Sequence, residues 1–263
     1  MNTATLRGFR TFVSIALFAF AAHSCGKAPA EFQVSGRSGQ IDPGCTAGST
    51  SRPLRILVMV DNSGSTDSTD PSQTYRVQTL RTFLAAYGSH ANLSYGFGYF
   101  DDAGYLYDVG STAFREHDAS VPFGSATQIG AALDTYHASI PPSGNTAYGE
   151  AFSALSAAVT RDEAGGSAQD YAVVFMSDGQ PTDIDSDVTN RLASLVTNLR
   201  QTAAANGKSH LTVSTVYFGS GSDATSIRNL RTMAEQGGGQ FVDTNHLDQG
   251  GLAIDDLVTI PGC

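Results

Sequence analysis

One uninterrupted apolar run, Leu54–Val60, constrains the fold of this chain more than any other feature of the sequence. Six of its seven residues are apolar, only Arg55 is polar, and Asp61 follows directly. A strand without polar alternation is covered on both faces, which is typical of a parallel sheet between two layers of helices. The run therefore predicts a buried strand that ends at Asp61.

Strand and helix patterns alternate along the rest of the chain. Short apolar or aromatic runs predict strands, and apolar residues at helical spacing predict helices. Strands joined by helices indicate an α/β fold, a doubly wound and mostly parallel, Rossmann-like sheet flanked by helices, with one antiparallel edge strand. The predicted strands are Leu54–Val60, Leu93–Phe100, Gly104–Val109, Tyr171–Met176, Leu211–Phe218 and Gln240–Val242, and the predicted helices are Thr74–Tyr87, Thr127–Ser139, Ala147–Thr160, Val188–Ala205, Ala224–Gln236 and Leu252–Val258.

The first residues have the layout of an export signal. Residues 1–24 contain Arg7 and Arg10, no acid, and an apolar run that ends in small residues before Cys25. That run is about 12 residues long and a membrane-spanning helix needs ~20, so a cleaved signal peptide is favoured over a permanent transmembrane helix. The sequence predicts a signal peptide at 1–24, a lipidated Cys and flexible Gly/Pro/Ser-rich tether at 25–53, and one folded domain at 54–263.

The residues around Cys25, Ala22-His23-Ser24-Cys25-Gly26, resemble the lipobox of bacterial lipoproteins. In that family the cysteine is lipidated and becomes the first residue of the mature chain, which implies a membrane anchor. Ala22 and His23 depart from the usual lipobox pattern, so plain secretion is the alternative. Both alternatives export the protein, and because Gly26 is not the Asp that retains some lipoproteins at the inner membrane, the outer membrane or the cell surface is favoured.

Charge and cysteine content narrow the set of partners. The chain has 15 Lys plus Arg against 25 Asp plus Glu, a formal net charge of -10, which argues against binding to nucleic acid. Cys45 and Cys263 remain once Cys25 is set aside. An isolated pair in an oxidising compartment usually bonds, so a disulfide between the two ends of the domain is predicted, with two unpaired thiols as the alternative.

Oxygen-bearing side chains follow the first predicted strand. In Asp61-Asn62-Ser63-Gly64-Ser65 the Asp and the two Ser alternate, so in an extended loop their side chains point to one side. A hard divalent ion needs such an arrangement of oxygens. The alternative is a polar loop before a helix. In sheets of this kind ligands bind at the carboxyl ends of the strands, and Asp178 follows another predicted strand there.

Two more motifs join this one. Gly144-Asn145-Thr146-Ala147 opens a helix, and Met176-Ser177-Asp178-Gly179 closes a strand. The set of D-x-S-x-S, Thr and Asp-Gly resembles the von Willebrand factor type A (VWA) domain with a metal-ion-dependent adhesion site, over about residues 54 to 260. The resemblance implies that Ser63, Ser65 and Thr146 supply hydroxyls to the ion. It also implies that Asp61 and Asp178 bind the ion directly or through water.

The resemblance also implies a function. It predicts a non-enzymatic, divalent-metal-dependent, adhesion-like protein-binding module, with Mg²⁺ as the cofactor and Mn²⁺ or Ca²⁺ as alternatives. An ion held mainly by neutral hydroxyls keeps enough charge to attract a carboxylate, so the expected partner is a protein with an exposed Asp or Glu. The alternative is a structural or assembly component of an envelope complex in which the metal is mainly structural.

Three other motifs fit other ligands poorly. Gly219–Ala224 reads G-x-G-x-x-A, a dinucleotide fingerprint, but it lies too near the C-terminus for a nucleotide-binding half and predicts a Gly-rich turn. Asp183–Asp187 resembles the start of an EF-hand loop without its later Gly and Glu. Asp101–Asp102 predicts a turn, with a second ion site as the alternative. Common catalytic motifs are absent, so no catalytic residue is predicted.

Overall fold

The apolar run forms β1 (Leu54–Asp61), the central strand of a seven-stranded sheet. A computed structural model describes residues 52–205, 209–246 and 252–260. β1 pairs in parallel with β2 (Leu93–Phe100) on one side and with β5 (Asp170–Ser177) on the other. Seven of the eight residues of β1 are buried, which confirms the prediction of a strand covered on both faces.

The remaining strands extend the sheet in both directions. These strands are β3 (Gly104–Asp108), β4 (Ala113–Glu116), β6 (Leu211–Tyr217) and β7 (Gly238–Asp243). β6 pairs in parallel with β5, and β7 pairs in parallel with β6. On the other side β3 is antiparallel to β2, and β4 is antiparallel to β3. The order across the sheet is β4-β3-β2-β1-β5-β6-β7, which confirms the predicted α/β fold with a mostly parallel sheet.

Helices cover both faces of the sheet. They are α1 (Thr66–Thr69), α2 (Thr74–Tyr87), α3 (Ala126–Ser139), α4 (Tyr148–Glu163), α5 (Val188–Ala204) and α6 (Ala224–Gly237). The side chains of β1 alternate between two apolar clusters, with Val58 in one and Met59 in the other. α2, α3 and the segment 252–260 contribute to the first cluster, and α4, α5 and α6 contribute to the second.

Two elements differ from the prediction. The antiparallel edge has two strands where the sequence predicts one. The second strand, β4, is not predicted because it is half-buried or exposed throughout and so lacks the apolar alternation that marks a strand. The helix predicted over Leu252–Val258 is a single 3₁₀ turn, Ile254–Asp256. Its apolar residues are buried in the first cluster without a helix, since so short a segment gains little from helix formation.

The parallel strands give the sheet two different edges. β1, β2, β5 and β6 all end at one edge, here called the carboxyl edge, where loops 61–73, 101–103, 140–147, 178–187 and 218–223 lie. The opposite, amino edge holds the beginnings of these strands. Within the described ranges, no helix combines the length and the apolar character needed to cross a membrane. The predicted signal peptide, lipidated Cys25, the tether up to residue 51 and the Cys45–Cys263 bond lie outside the described residues.

Candidate metal centre

Asp61 is the last residue of β1 and is fully buried. Its Oδ1 accepts a hydrogen bond from the Ser63 backbone N–H at 2.9 Å, and its Oδ2 accepts one from the Ser177 hydroxyl. The next residue, Asn62, still pairs with β2 through its N–H and the Phe100 carbonyl, at 2.8 Å. The strand therefore holds the Asp61 carboxylate in place at the carboxyl edge.

The Asn62 side chain anchors the loop after β1 to the interior of the protein. Its side-chain Nδ2 donates to the Pro141 carbonyl at 3.0 Å, and its Oδ1 accepts from the Tyr136 hydroxyl at 2.8 Å and from Gln73 Nε2 at 3.2 Å. The buried Arg76 guanidinium donates to the Asp61 carbonyl. Because Asn62 points into the protein, the alternation of the loop turns Asp61 and Ser63 the other way, toward the site.

Hydroxyls and a second carboxylate meet above this loop. Ser63 Oγ and Ser65 Oγ lie 3.1 Å apart, and Ser65 Oγ donates to Asp178 Oδ1 at 2.8 Å. The other carboxylate oxygen of Asp178, Oδ2, accepts from the Thr69 hydroxyl at 2.6 Å. The end of β1 and the end of β5 are thus joined through side-chain oxygens.

Thr146 completes the set from the loop before α4. Its backbone N–H donates to Thr182 Oγ1 at 3.1 Å, and its carbonyl accepts from the Thr182 N–H at 2.9 Å. A Cβ built on Gly179 would lie 3.7 Å from Ser65 Oγ and 3.9 Å from Thr146 Oγ1, so the two hydroxyls face the same point. The structure therefore brings all five predicted residues, Asp61, Ser63, Ser65, Thr146 and Asp178, to one place.

The Asp178-Gly179 turn is held from two further sides. The Tyr148 hydroxyl donates to the Gly179 carbonyl at 2.9 Å, from beneath the loop. Gly219 passes so close that a Cβ there would lie 2.7 Å from the Asp178 carbonyl, which makes glycine necessary. The Gly-rich motif at 219–224 is therefore a tight turn that packs against the centre.

The two carboxylates are electrostatically uncompensated. Burial raises the pKa of Asp61 to about 6, the nearby charge of Asp178 adds to the rise, and hydrogen bonds from Ser177 and Ser63 oppose it. Among residues 52–205, 209–246 and 252–260, neither Asp61 nor Asp178 has an ion pair with Lys, Arg or His. A cation placed between them would relieve this repulsion.

The donor set fits a hard divalent ion. Mg²⁺ takes oxygen ligands at about 2.1 Å in octahedral geometry, so neighbouring ligand oxygens lie about 3 Å apart. The spacings of 3.1 Å between Ser63 and Ser65 and of 2.8 Å between Ser65 and Asp178 match that value. The described residues contain no cluster of three or more His, Cys, Asp or Glu side chains arranged for a metal. Two carboxylates and three hydroxyls therefore define the candidate centre.

The alternative motifs have structural roles at the same edge. Asp223 accepts from the Thr225 and Ser226 N–H groups of α6, where a nucleotide phosphate would otherwise bind. Asp183 accepts from the first N–H groups of α4. Asp102 accepts from the backbone and side chain of Asn145, at 3.0 and 2.6 Å. These carboxylates are satisfied by the chain itself.

Sequence reasoning missed three residues that support the centre. Ser177 donates to Asp61, Thr69 donates to Asp178, and Thr182 fixes Thr146. Ser177 could have been found, since it ends the same strand as Asp178. Thr69 is four residues after Ser65 in a helical turn, and Thr182 is remote from Thr146 in sequence, so neither carries a local signal.

Comparison with known proteins places the fold. The sequence matches no family model and no curated protein. A von Willebrand factor type A protein from Catenulispora acidiphila is similar in structure, with 14% identity, a TM-score of 0.50, and coverage of 79% of this chain and 42% of that one. The human COPII-coat protein Sec24c gives 13% identity, a TM-score of 0.50, and coverage of 78% and 30%. This chain thus spans less than half the length of either.

The fold and the centre together define a class. The protein is an α/β domain in which hydroxyl and carboxylate side chains meet at the carboxyl edge of the central parallel strands. More particularly, it has the von Willebrand factor type A fold, with seven strands and an antiparallel edge pair. The resemblance predicted from the three short motifs is confirmed at the level of the fold.

Proposed function

We propose that this protein is a divalent-metal-dependent protein-binding module and not an enzyme. The observation that supports it best is the convergence of two carboxylates and three hydroxyls at the carboxyl edge, where neither carboxylate has an ion pair with a cationic side chain of the described residues. Asp61 and Asp178 would hold Mg²⁺ together with Ser63, Ser65 and Thr146. The ion, when bound, offers a coordination position to a carboxylate of a partner protein.

The residues of the chain prepare this centre in advance. Asn62 and Arg76 fix the backbone of the first loop, and Thr182 and Tyr148 fix the other two. Because these hydrogen bonds already hold the loops that carry the ligands, little conformational entropy is lost when metal and partner bind. Ser65 is exposed, so the centre faces the solvent from which a partner would arrive.

Magnesium titration by calorimetry on the full-length chain tests the metal site, with Asp61→Ala as the disabling variant. Asp256→Ala is the matched control, because Asp256 is also an aspartate but is exposed at the amino edge. We expect saturable binding by the wild type and the control, and none by Asp61→Ala. If the wild type gives no heat and melts at the same temperature in magnesium and in chelator, the proposal is wrong.

We also propose that the protein is exported and anchored in the bacterial cell envelope through a lipid on Cys25, at the outer membrane or cell surface. The support is the signal-like segment 1–24 and the lipobox-like sequence at Cys25. Labelling with a radioactive fatty acid, followed by membrane fractionation, checks this. Incorporation should be lost in Cys25→Ser, and an unlabelled wild-type chain in the medium would support plain secretion.

A disulfide between Cys45 and Cys263 belongs to the same proposal. Leu54 and Ile260, the described residues near the two ends of the domain, line one cavity of about 650 Å³ at the amino edge. Cys263 is three residues beyond Ile260, and Cys45 is nine residues before Leu54. An extended chain covers about 3.5 Å per residue, so both segments are long enough for the two cysteines to meet. Mass spectrometry of the unreduced exported protein should find the linked peptides, and free thiols at both positions would contradict it.

A further inference from the structure

We propose that the loops around the candidate metal centre select a partner whose metal-contacting carboxylate lies within a basic surface that carries Lys or Arg side chains. This inference rests on the proposed function and adds the charge of the partner to it. It follows from the distribution of charge between the two edges of the sheet.

The five loops of the carboxyl edge are strongly acidic. Residues 61–73, 101–103, 140–147, 178–187 and 218–223 contain ten Asp and no Lys or Arg. Among the residues that the structure describes, only one of these ten has an ion pair, Asp70 with the buried Arg76 at 3.0 Å. The exposed members are Asp67, Asp102, Asp183, Asp185 and Asp187.

Hydrogen bonds join these loops into one surface. The Gly64 N–H donates to the Gly144 carbonyl at 3.1 Å, and the neighbouring Asn145 donates to Asp102. On the other side of the centre, the Gln180 side chain donates to Asp223 at 3.0 Å. With the Thr146–Thr182 pair between them, these contacts place the acidic side chains around the metal centre and not on separate faces.

The other described residues are nearly balanced in charge, with 10 Arg against 12 Asp plus Glu. Their ion pairs include Arg52 with Asp170, Arg55 with Asp162, and Arg161 with Asp118. The acidity of the carboxyl edge is therefore not a uniform property of this acidic chain. It is an excess concentrated where the candidate metal centre lies.

The Thr146 side chain adds an available oxygen to this surface. It is turned toward the centre, and the residue is only 6% exposed. Its hydroxyl has no hydrogen bond to any part of the chain that the structure describes, although its backbone is fixed on both sides by Thr182. The hydroxyl is therefore available to a ligand at the centre.

The surrounding charge decides which carboxylate can reach the centre. Charges interact over about 8 Å at physiological salt. A carboxylate that approaches the centre meets Asp61 and Asp178 within it, and further aspartates on the loops joined to it. Cationic side chains beside that carboxylate would turn this repulsion into attraction, which raises the association rate and excludes acidic partners. A metal centre with an acidic surround therefore fits a carboxylate in a basic setting.

Four synthetic nine-residue peptides test this with the full-length chain, by fluorescence anisotropy in magnesium and in chelator. The central residue is Glu or Gln, and the flanking residues are Lys or Ser. We expect the Lys-flanked Glu peptide to bind best in magnesium, about tenfold tighter than the Ser-flanked Glu peptide at low salt. The advantage should shrink to about threefold or less at 300 mM salt, because screening weakens exposed charges.

Two double variants locate the effect. Asp67→Asn with Asp185→Asn removes two exposed charges of the acidic surface, and neither side chain makes a hydrogen bond within the described residues. Glu235→Gln with Asp256→Asn removes two exposed charges at the amino edge. The first should reduce the preference for Lys flanks about threefold or more, and the second should leave it unchanged.

Each contrary result has its own meaning. Magnesium-dependent preference for Glu over Gln with no effect of the flanks would overturn this inference and leave the proposed function standing. No preference for Glu over Gln with either flank would overturn the proposed function and this inference with it. If the Lys-flanked Gln and Glu peptides bind in chelator as tightly as the Lys-flanked Glu peptide binds in magnesium, the attraction does not involve a metal-bound carboxylate, which also overturns the inference.

Discussion

The molecule contains two neighbouring pairs of buried charged groups, Asp70 with Arg76 and Asp61 with Asp178. The chain neutralises the charge of only the first pair. Asp70 has its own cation, since Arg76 Nε donates to Asp70 Oδ2 at 3.0 Å and Arg76 is only 1% exposed. The backbone N–H of Tyr75 also donates to Asp70, at 3.1 Å. Asp61 and Asp178 have hydroxyls, the Ser63 N–H and one another, but no cation from the described residues.

This difference separates structural from functional charge. A buried carboxylate that has a guanidinium and backbone N–H donors needs nothing from outside the chain. A pair of carboxylates with hydroxyl and N–H donors but without a cation remains repulsive until a cation binds. Changes in the first pair should therefore alter stability, and changes in the second should alter metal binding.

The largest effect is expected from Arg76→Met. It leaves the Asp70 charge buried without its partner and removes a donor to the Asp61 carbonyl, so the free energy of unfolding should fall by about 3–5 kcal/mol. Denaturant titration in magnesium measures this. The matched control is Arg81→Met, which breaks the exposed pair with Asp134 and should cost under about 0.5 kcal/mol. Equal losses in the two variants would contradict the comparison.

The next effect is a dependence on pH that should be opposite in sign with and without metal. Since the pKa of Asp61 is about 6 in the folded protein and its ordinary value is 3.8, the folded state binds the proton more tightly. In chelator, Asp61 therefore lowers stability as the pH rises from about 4 to about 6, and the penalty is complete above that range. Magnesium, which binds the ionised form, should stabilise the protein increasingly over the same range.

Asp61→Asn is the reference for this measurement. In chelator, the stability of the variant relative to the wild type should rise by about 1–3 kcal/mol between pH 4 and pH 7. Thermal unfolding in a series of buffers checks it. Parallel pH profiles for the two proteins in chelator would show that the Asp61 carboxyl is not destabilised by its surroundings.

Thr146→Val should weaken magnesium binding about tenfold or more, since it removes a hydroxyl and keeps the shape of the side chain. Stability in chelator should stay the same or rise slightly, because that hydroxyl has no hydrogen bond within the described residues. The matched control is Thr79→Val, which removes a buried hydroxyl without a hydrogen bond in the described residues, in α2 and away from the centre. A similar loss of affinity in both variants would argue against a role for Thr146 as a ligand.

The smallest effect is expected at Thr69, which acts through Asp178. Thr69→Val removes the hydrogen bond that orients the Asp178 carboxylate, so magnesium affinity should fall by up to about tenfold. Thr69→Ser keeps the hydroxyl and should bind nearly as the wild type does. If calorimetry finds Val and Ser equally weak, the methyl group and not the hydroxyl matters at this position.

Residues with a local signal were predictable, and residues with only a spatial signal were not. Thr74–Tyr87 was predicted with the observed bounds, because its apolar residues recur at helical spacing and Gly88 follows. The half-exposed β4 lacks any such pattern. The segment after Leu252 has apolar residues at mixed spacing, and the core holds them without a helix.

The same division applies to the site. Asp61, Ser63 and Ser65 lie within five residues, and Thr146 and Asp178 each occur at a recognisable boundary between elements. Arg76 lies four residues before Leu80 and seven before Phe83, so its spacing puts it on the apolar face of α2, but that spacing does not show its partners. Its position beneath the centre depends on Asp70, Tyr136 and the Asp61 carbonyl, which come together only in the folded chain.

The position of β1 gives the molecule a mechanical axis. The strand begins near the described start of the chain, at Leu54, and ends at Asp61 in the candidate metal centre. A partner bound there and an attachment ahead of Arg52 would pull along β1 from its two ends. The strand is bonded in parallel to β2 and β5 along its length, so the load falls on both rows of hydrogen bonds at once, in shear. For β1 to slide out of the sheet, many of these hydrogen bonds must break at the same time. A force along the strand cannot break them one after another.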